Sequence, residues 1–284
     1  MTRWTSLLAL GALVAAPSLF AWQETLIPDL PGPFPEVAPF VANFKIGWSE
    51  IEAARAHAEI AYNGSQVALD ARGGTEGLAR SLYQLDARFQ GTVDRPTLHT
   101  LRSDQVETYS DRSLTTIVTG SNGALRTFSD PVPPGKKPAK WKEVKIQPVR
   151  DFFAGMLFIR SQALARGDMV RLLMFPGGSS FLVEIHSAGP RTIHLDDGPC
   201  EALQLDLKIQ RVNHKKGNSL EPHSKFRSGK IWLSNDARRI PLRAEVDIFI
   251  GYVFAEILDY RTTGEIPALP PTKNGVDKSP AAER

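Results

Sequence analysis

Apolar and polar residues alternate with a period of two along most of the chain. Leu203, Leu205, Leu207 and Ile209 alternate with Gln204, Asp206, Lys208 and Gln210. Phe181, Val183 and Ile185 alternate with Leu182, Glu184 and His186, and Ala244, Val246, Ile248 and Ile250 alternate with Arg243, Glu245, Asp247 and Phe249. Successive side chains of a strand point to opposite faces, so this pattern predicts strands with one face in a core and the other in water. That is the habit of an antiparallel sheet; a doubly wound parallel sheet shows continuous apolar runs. Turn residues fall between the strands. Asn63-Gly64 joins Ala58/Ile60/Tyr62 to Val67/Leu69/Ala71, and Asn122-Gly123 parts Thr115–Thr119 from Leu125–Phe128. Asn-Gly supplies the positive φ angles of a tight hairpin. Pro176-Gly177-Gly178-Ser179, Asp196-Asp197-Gly198-Pro199 and Asn235-Asp236-Ala237-Arg238 mark further turns. The pattern predicts roughly ten to twelve meandering strands.

Two stretches keep helical spacing instead. Leu78, Ala79, Leu82, Tyr83 and Leu85 follow Thr75, which is expected to cap them. Phe152, Phe153, Met156, Leu157, Arg160 and Leu164 follow Asp151, the expected cap, and run towards Gly167, the expected stop. The predicted fold is mainly β: an antiparallel, open or incomplete β-barrel with one or two helices packed on its concave face.

The flanks read differently. A positive charge at Arg3 precedes a short apolar run, Leu7 to Ala16, with Pro17, Ser18 and Ala21 behind it. A run of about 10 residues is too short for the roughly 20 that span a bilayer, and it predicts a cleaved signal peptide over 1–21 and a periplasmic protein. Residues 22–43 are rich in Pro and predict an extended segment; 44–262 form a single β-rich domain; 263–284 form a disordered tail. Residues 129–145 interrupt the domain as a basic, Pro-rich loop.

Composition adds exclusions. The 284 residues are 42% hydrophobic and 23% charged with a net charge of +3, which excludes a disordered chain and a multispan membrane protein. Cys200 stands alone, so the chain forms no internal disulfide and the thiol is expected to be buried.

From Phe44 to Tyr260 the order of features resembles an exported bacterial family catalogued as domain of unknown function 3108. The resemblance rests on Ile46-Gly47-Trp48, on Gly77-Leu78-Ala79-Arg80-Ser81-Leu82-Tyr83, and on Arg150-Asp151-Phe152-Phe153-Ala154-Gly155-Met156-Leu157-Phe158-Ile159-Arg160. Its most specific part is Gly229-Lys230-Ile231-Trp232-Leu233-Ser234-Asn235-Asp236 with Arg239-Ile240-Pro241, followed by Gly251 and Glu256. The resemblance implies an exported, mainly antiparallel fold like the open barrel, with a helix in its mouth, of the lipoprotein carrier and receptor of the Lol pathway. It carries no activity over to these residues, because fold does not fix function.

The residues show little catalytic pattern. No Gly-x-Ser-x-Gly elbow occurs, and Gly177-Gly178-Ser179-Ser180 reads as a hairpin. His194, Asp196, Asp197 and Cys200 are the nearest approach to a metal cluster, but a turn explains both Asp residues. No catalytic residue, metal or cofactor is assigned, and the reading leans away from an enzyme. Lys136, Lys137, Lys140, Lys142 and Lys145 form a basic run with Trp141 as its one aromatic residue, which does not suit nucleic acid. In the envelope such a run fits peripheral contact with anionic headgroups. Trp232, Phe249 and Tyr252 are candidate ligand-cleft residues on the last strands, with Phe153 and Arg160 on the helix facing them. Arg238 and Arg239 are expected to pair with Glu256 across strands. The expected function is non-enzymatic binding of a lipid, lipoprotein or other apolar envelope ligand between the concave sheet and this helix. An envelope scaffold that acts through protein partners is the first alternative, and an enzyme on an envelope polymer the second.

Overall fold

A computed structural model describes residues 31–34, 36–130, 140–223, 226 and 228–263. The signal-peptide reading, most of the basic loop with Lys136 and Lys137, and the C-terminal tail lie outside them.

The strands form one antiparallel sheet. In chain order they are β1 (Phe40–Trp48), β2 (Ile51–Asn63), β3 (Gln66–Thr75), β4 (Leu85–Asp94), β5 (Thr100–Tyr109), β6 (Ser113–Ser121), β7 (Ala124–Asp130), β8 (Lys142–Glu143), β9 (Met169–Met174), β10 (Phe181–Leu195), β11 (Gly198–Asn213), β12 (Ser219–Pro222), β13 (Ser228–Ser234), β14 (Pro241–Asp247) and β15 (Tyr252–Thr262). Their order in the sheet runs β8-β7-β6-β5-β4-β3-β2-β1-β15-β14-β13-β11-β10-β9, with β12 beside β11. The mainly β, antiparallel prediction therefore holds, with more strands than expected. The first and last strands of the chain pair with each other, Phe40 opposite Thr262 and Trp48 opposite Val253. This pairing joins two meanders into one wide sheet. We call the end bearing the β1–β2 and β14–β15 turns the upper end.

The sheet curls until its edges meet, yet no ladder closes it. A strap, residues 144–150, lies in the seam instead. Val144 N–H donates to Leu125 O (2.8 Å) and Val149 N–H to Gly123 O (3.1 Å) on one edge. Arg150 N–H donates to Leu173 O (3.1 Å) and Arg150 O accepts from Phe175 N–H (2.7 Å) on the other. Val144, Ile146 and Val149 fill the gap between Val118 and Leu125 and the pair Leu173 and Leu182.

Helix α2 (Phe152–Ser161) crosses the lumen towards its lower end. Asp151 caps it as expected, its Oδ1 accepting from Ala154 N–H at 2.8 Å. The helix stops at Ser161, well short of Gly167, because Arg160 and Ser161 are already engaged by other segments. Arg160 Nη2 donates to Ala38 O (2.9 Å) and Ser161 O accepts from Phe34 N–H (3.0 Å). Phe34, Val37 and Ala38 are buried against this end. Phe153 packs on Gly91, where a Cβ would stand 2.8 Å from its ring, so a missing side chain makes the seat for the helix.

The other helix differs from expectation. Helix α1 (Gly77–Leu82) has Glu76 at its N-cap, with no side-chain cap from Thr75, and buries none of its residues. It sits on the upper rim and not on the concave face. The link from Thr75 to Leu85 is nine residues and six of them form α1, which leaves too little chain for the helix to turn back into the lumen and still begin β4 beside β3.

Leu157 is fully buried where α2 meets the sheet. Leu157→Ala is expected to cost about 2–5 kcal/mol of stability by leaving a cavity that the strands cannot collapse into, measured by urea unfolding.

Candidate functional site

The inward face of the upper half of the barrel is built from small residues. Across the sheet, Ala56 lies opposite Gly73 and Ala58 opposite Ala71. Gly73 then lies opposite Ala87, and Ala71 opposite Phe89. Alanine and glycine leave the lumen wide where larger side chains would close it. Lower down, Phe153, Leu157, Phe40, Ile60 and Val67 fill the same space. The result is a cleft of about 530 Å3 that opens upwards, with walls of Ile46, Ala54, Ala56, Leu69, Ala71, Leu85, Ala87 and Phe89. Phe152 and Pro176 line it from the seam and helix side. Phe152 is 55% exposed although it begins a helix that is otherwise largely buried. Two other hollows are of similar volume and carry more charged groups in their walls. One of about 550 Å3 is lined by Arg55, His57, Arg72, Asp86 and Asp259. One of about 570 Å3 is lined by Asp197, Glu201, Asp236 and Arg238.

Polar groups enter the apolar cleft from β5. Gln105 lines it and donates to Glu107 Oε1 at 2.5 Å, while Tyr109 OH donates to Glu107 Oε2 at 2.6 Å. All three side chains lie on alternate residues of one strand, so a polar ladder climbs one wall to the rim. The Glu107 carboxylate beside it pushes the Tyr109 hydroxyl well above its ordinary pKa, so Tyr109 remains a donor.

The structure places the five sequence candidates elsewhere. Trp232 is 8% exposed. It lies in a buried cluster with Ala202, Leu242 and Ile257, against which Ile193, Leu195 and Cys200 of the β10–β11 hairpin also pack. The hairpin tip folds over the outer side of the sheet, where Asp196 reaches Lys45 Nζ at 2.7 Å. Phe249 stands exposed at the β14–β15 turn. Tyr252 begins β15 and donates its hydroxyl to Glu50. Phe153 is buried below the cleft, next to Phe152. Arg160 is buried at the far end of α2, with Nε bonded to Arg239 O at 2.9 Å and Nη2 to Arg238 O at 3.0 Å. None of the five lines the cleft. The residues that do are announced by one signal: Ala54, Ala56 and Ala58 alternate on β2 where a core strand would place large side chains.

Two other arrangements correct the sequence reading. Glu256 is buried and pairs with Lys45 Nζ (2.9 Å) and with Arg243, not with Arg238 or Arg239. Register decides this, since Arg243 and Lys45 stand directly opposite Glu256 on its two neighbouring strands. Arg238 instead closes on Asp236 within its own turn, Nε to Oδ2 at 2.7 Å. Ser180 and His214, unlinked in sequence, come within 3.1 Å at Nε2, and His214 Nδ1 lies 2.8 Å from Asn218 Oδ1. That is the bonding order of a nucleophile, a base and an orienting group. Ser180 is only 2% exposed, so the trio ties the start of β10 to the turn after β11. Among the described residues no three His, Cys, Asp or Glu side chains gather as a metal site.

A family model described as a protein of unknown function (DUF3108) matches residues 42–257. The chain belongs to this family. The matched span runs from the buried Ala42 of β1 to Ile257 of β15, so the family's domain includes the cleft, α2 and the hairpin turns of the rim. Among solved structures, a β-barrel-like protein of domain of unknown function DUF1849 from Brucella abortus has a TM-score of 0.53 at 10% identity, covering 81% of this chain and 99% of that one. A Bacteroides fragilis protein described as exported, with a YmcC-like fold, gives 0.35 at 8% identity over 82% and 99% of the two chains. A protein described as a lipoprotein from Parabacteroides distasonis gives 0.32 at 9% identity over 82% and 100%. The first of these shows a likeness of fold and nothing further. Among curated proteins none matches.

Burial raises the Asp151 carboxyl above its ordinary pKa, against the hydrogen bonds from Ala154 N–H and from Ser103 and Thr100. Folding therefore favours the protonated form. Its contribution is whole below the ordinary carboxylate value and falls as pH rises through the raised folded value. Asp151→Asn keeps a capping oxygen without the charge. The variant is expected to gain on the wild type as pH rises above the ordinary carboxylate range in urea unfolding, and a difference that does not change with pH would contradict this.

Proposed function

We propose that this protein is an exported cell-envelope protein that binds one elongated apolar ligand, such as the acyl chain of a lipid or lipoprotein, in the cleft above α2. The observation that carries this reading is an upward-opening, apolar-walled lumen with Phe152 exposed inside it. Its volume of about 530 Å3 falls in the roughly 300–1,000 Å3 range of small-ligand sites. Apolar walls gain free energy by shedding water onto an apolar guest. Gln105 and the Glu107–Tyr109 pair supply hydrogen-bonding groups where the polar head of such a ligand would emerge. The apolar run with small residues behind it near the N-terminus supports export. Binding is the whole function in this reading, with no chemical step and no cofactor.

The test is native mass spectrometry and solvent extraction of the full chain expressed with export to the periplasm. A bound lipid or acylated molecule is expected, and added lipid raises the melting temperature. Bare protein with no thermal gain overturns the reading. A stable protein partner without lipid would favour a scaffold. Two variants localise the site by titration with the fluorescent fatty acid cis-parinaric acid. Ala71→Trp fills the lumen and Phe152→Asp places a charge in it; an Asp at the first helical position also suits the helix dipole, so α2 persists. Each is expected to weaken binding at least tenfold with an unchanged fold by circular dichroism.

A further inference from the structure

Large apolar side chains are concentrated at the upper end of the barrel. Leu78 and Leu82 of α1 are 77% and 80% exposed, and Phe249 on the β14–β15 turn is 79% exposed. Ile250 beside Phe249, with Trp48 and Ile51 on the β1–β2 turn, is exposed as well. Single exposed apolar residues are ordinary; a contiguous set is not. These stand on neighbouring tips that hydrogen bonds tie side by side. Trp48 Nε1 donates to Ile250 O at 2.8 Å, and Ser49 N–H donates to Tyr252 O at 2.9 Å, which locks the two turns together. Glu76 N–H donates to Ala53 O at 2.9 Å, which holds α1 beside them. From β15 through β1, β2 and β3 to β4 the row spans roughly 20 Å at the usual strand spacing.

We infer that this rim docks on the surface of a lipid bilayer rich in neutral lipids. The side chains stand on three separate projecting tips and not in a groove, so they suit a fluid phase that closes around each one. Trp48 has its ring N–H satisfied and its apolar ring outward, the amphipathic form that settles at a membrane interface. β1 begins and β15 ends at the lower end, a strand length of roughly 30 Å from the rim. Charge chooses the lipid. Glu50, Glu52, Glu76, Asp86 and Asp247 outnumber Arg55, Arg80 and Arg243 around the tips, so an anionic surface is disfavoured and a zwitterionic one is not. The inference deepens the proposed function, since the rim borders the mouth of the cleft and would let a ligand pass from bilayer to lumen without crossing water.

The test is flotation of the full exported chain with vesicles of phosphatidylcholine and phosphatidylethanolamine. Binding is expected, unchanged between low and high salt, and weaker when a third of the lipid is replaced by phosphatidylglycerol. Phe249→Asp and the pair Leu78→Asp with Leu82→Asp should each reduce flotation at least tenfold, with melting temperature and cis-parinaric acid binding unchanged. Failure of the wild type to float, equal flotation of the variants, or binding that requires anionic lipid overturns the inference. Wild-type dimers that these variants dissolve, without vesicle binding, also overturn it and place a second copy on the rim. Vesicle binding by a protein with no extractable lipid upholds the rim and refutes only the cleft.

Discussion

A guanidinium without a carboxylate holds the lower end of the barrel together. Arg160 donates to the carbonyls of Ala38, Arg238 and Arg239 from a fully buried position and stacks 5.1 Å from the centroid of Phe40. It thereby ties the last turn of α2 to the segment before β1 and to the turn before β14. Burial works against the charged form and lowers the group's pKa; three hydrogen-bonded carbonyls and a place in the last turn of α2 offset part of that cost. Nη1 has no partner, and Arg239 beside it also leaves two nitrogens unbonded. Such a cost is tolerated only because the helix position depends on it. With α2 held low and across the lumen, its first residue is the one that reaches up into the cleft.

The cleft therefore results from an imbalance between two layers. The lower lumen receives a helix and large side chains, whereas the upper lumen is lined largely by alanine and glycine, with a few larger apolar residues such as Leu69, Phe89 and Phe152. No single strand shows this. It follows from the register that brings Ala56 and Ala58 opposite Gly73 and Ala71, and those opposite Ala87 and Phe89.

Much of the fold was legible in the residues. Alternation at Leu203–Gln210 and the Asn63-Gly64 and Asn122-Gly123 turns mark hairpins that form, and Asp151 caps the helix it precedes. These are local properties, written within a few residues of where they act. The site was much less legible. Trp232 alternates out of phase with Ile231 and Leu233, which marks it as exposed, but a hairpin folded across the sheet buries it. Arg160 looks like a ligand-facing cation at the end of an amphipathic helix, but its partners lie more than seventy residues away in both directions. Glu256 was a sound candidate for ion pairing, and only strand register could name Lys45 and Arg243 as its partners. Leu78 and Leu82 have the spacing of a packed helix, and only the shortness of the link shows that they face outwards.

The strap in the seam has a mechanical meaning. Elsewhere around the barrel, neighbouring strands are joined by ladders of backbone bonds that must break together. At the seam, among the described residues, the strap's backbone bonds, a hydrogen bond from Thr127 Oγ1 to Gly177 O and a few aliphatic side chains hold the edges together. Girth is thus adjustable at one place only, as a belt is at its buckle. The loosest part of the circumference carries Pro176, one of the residues that line the cleft. A guest thicker than a single chain would be accommodated by slack there, with every ladder left intact.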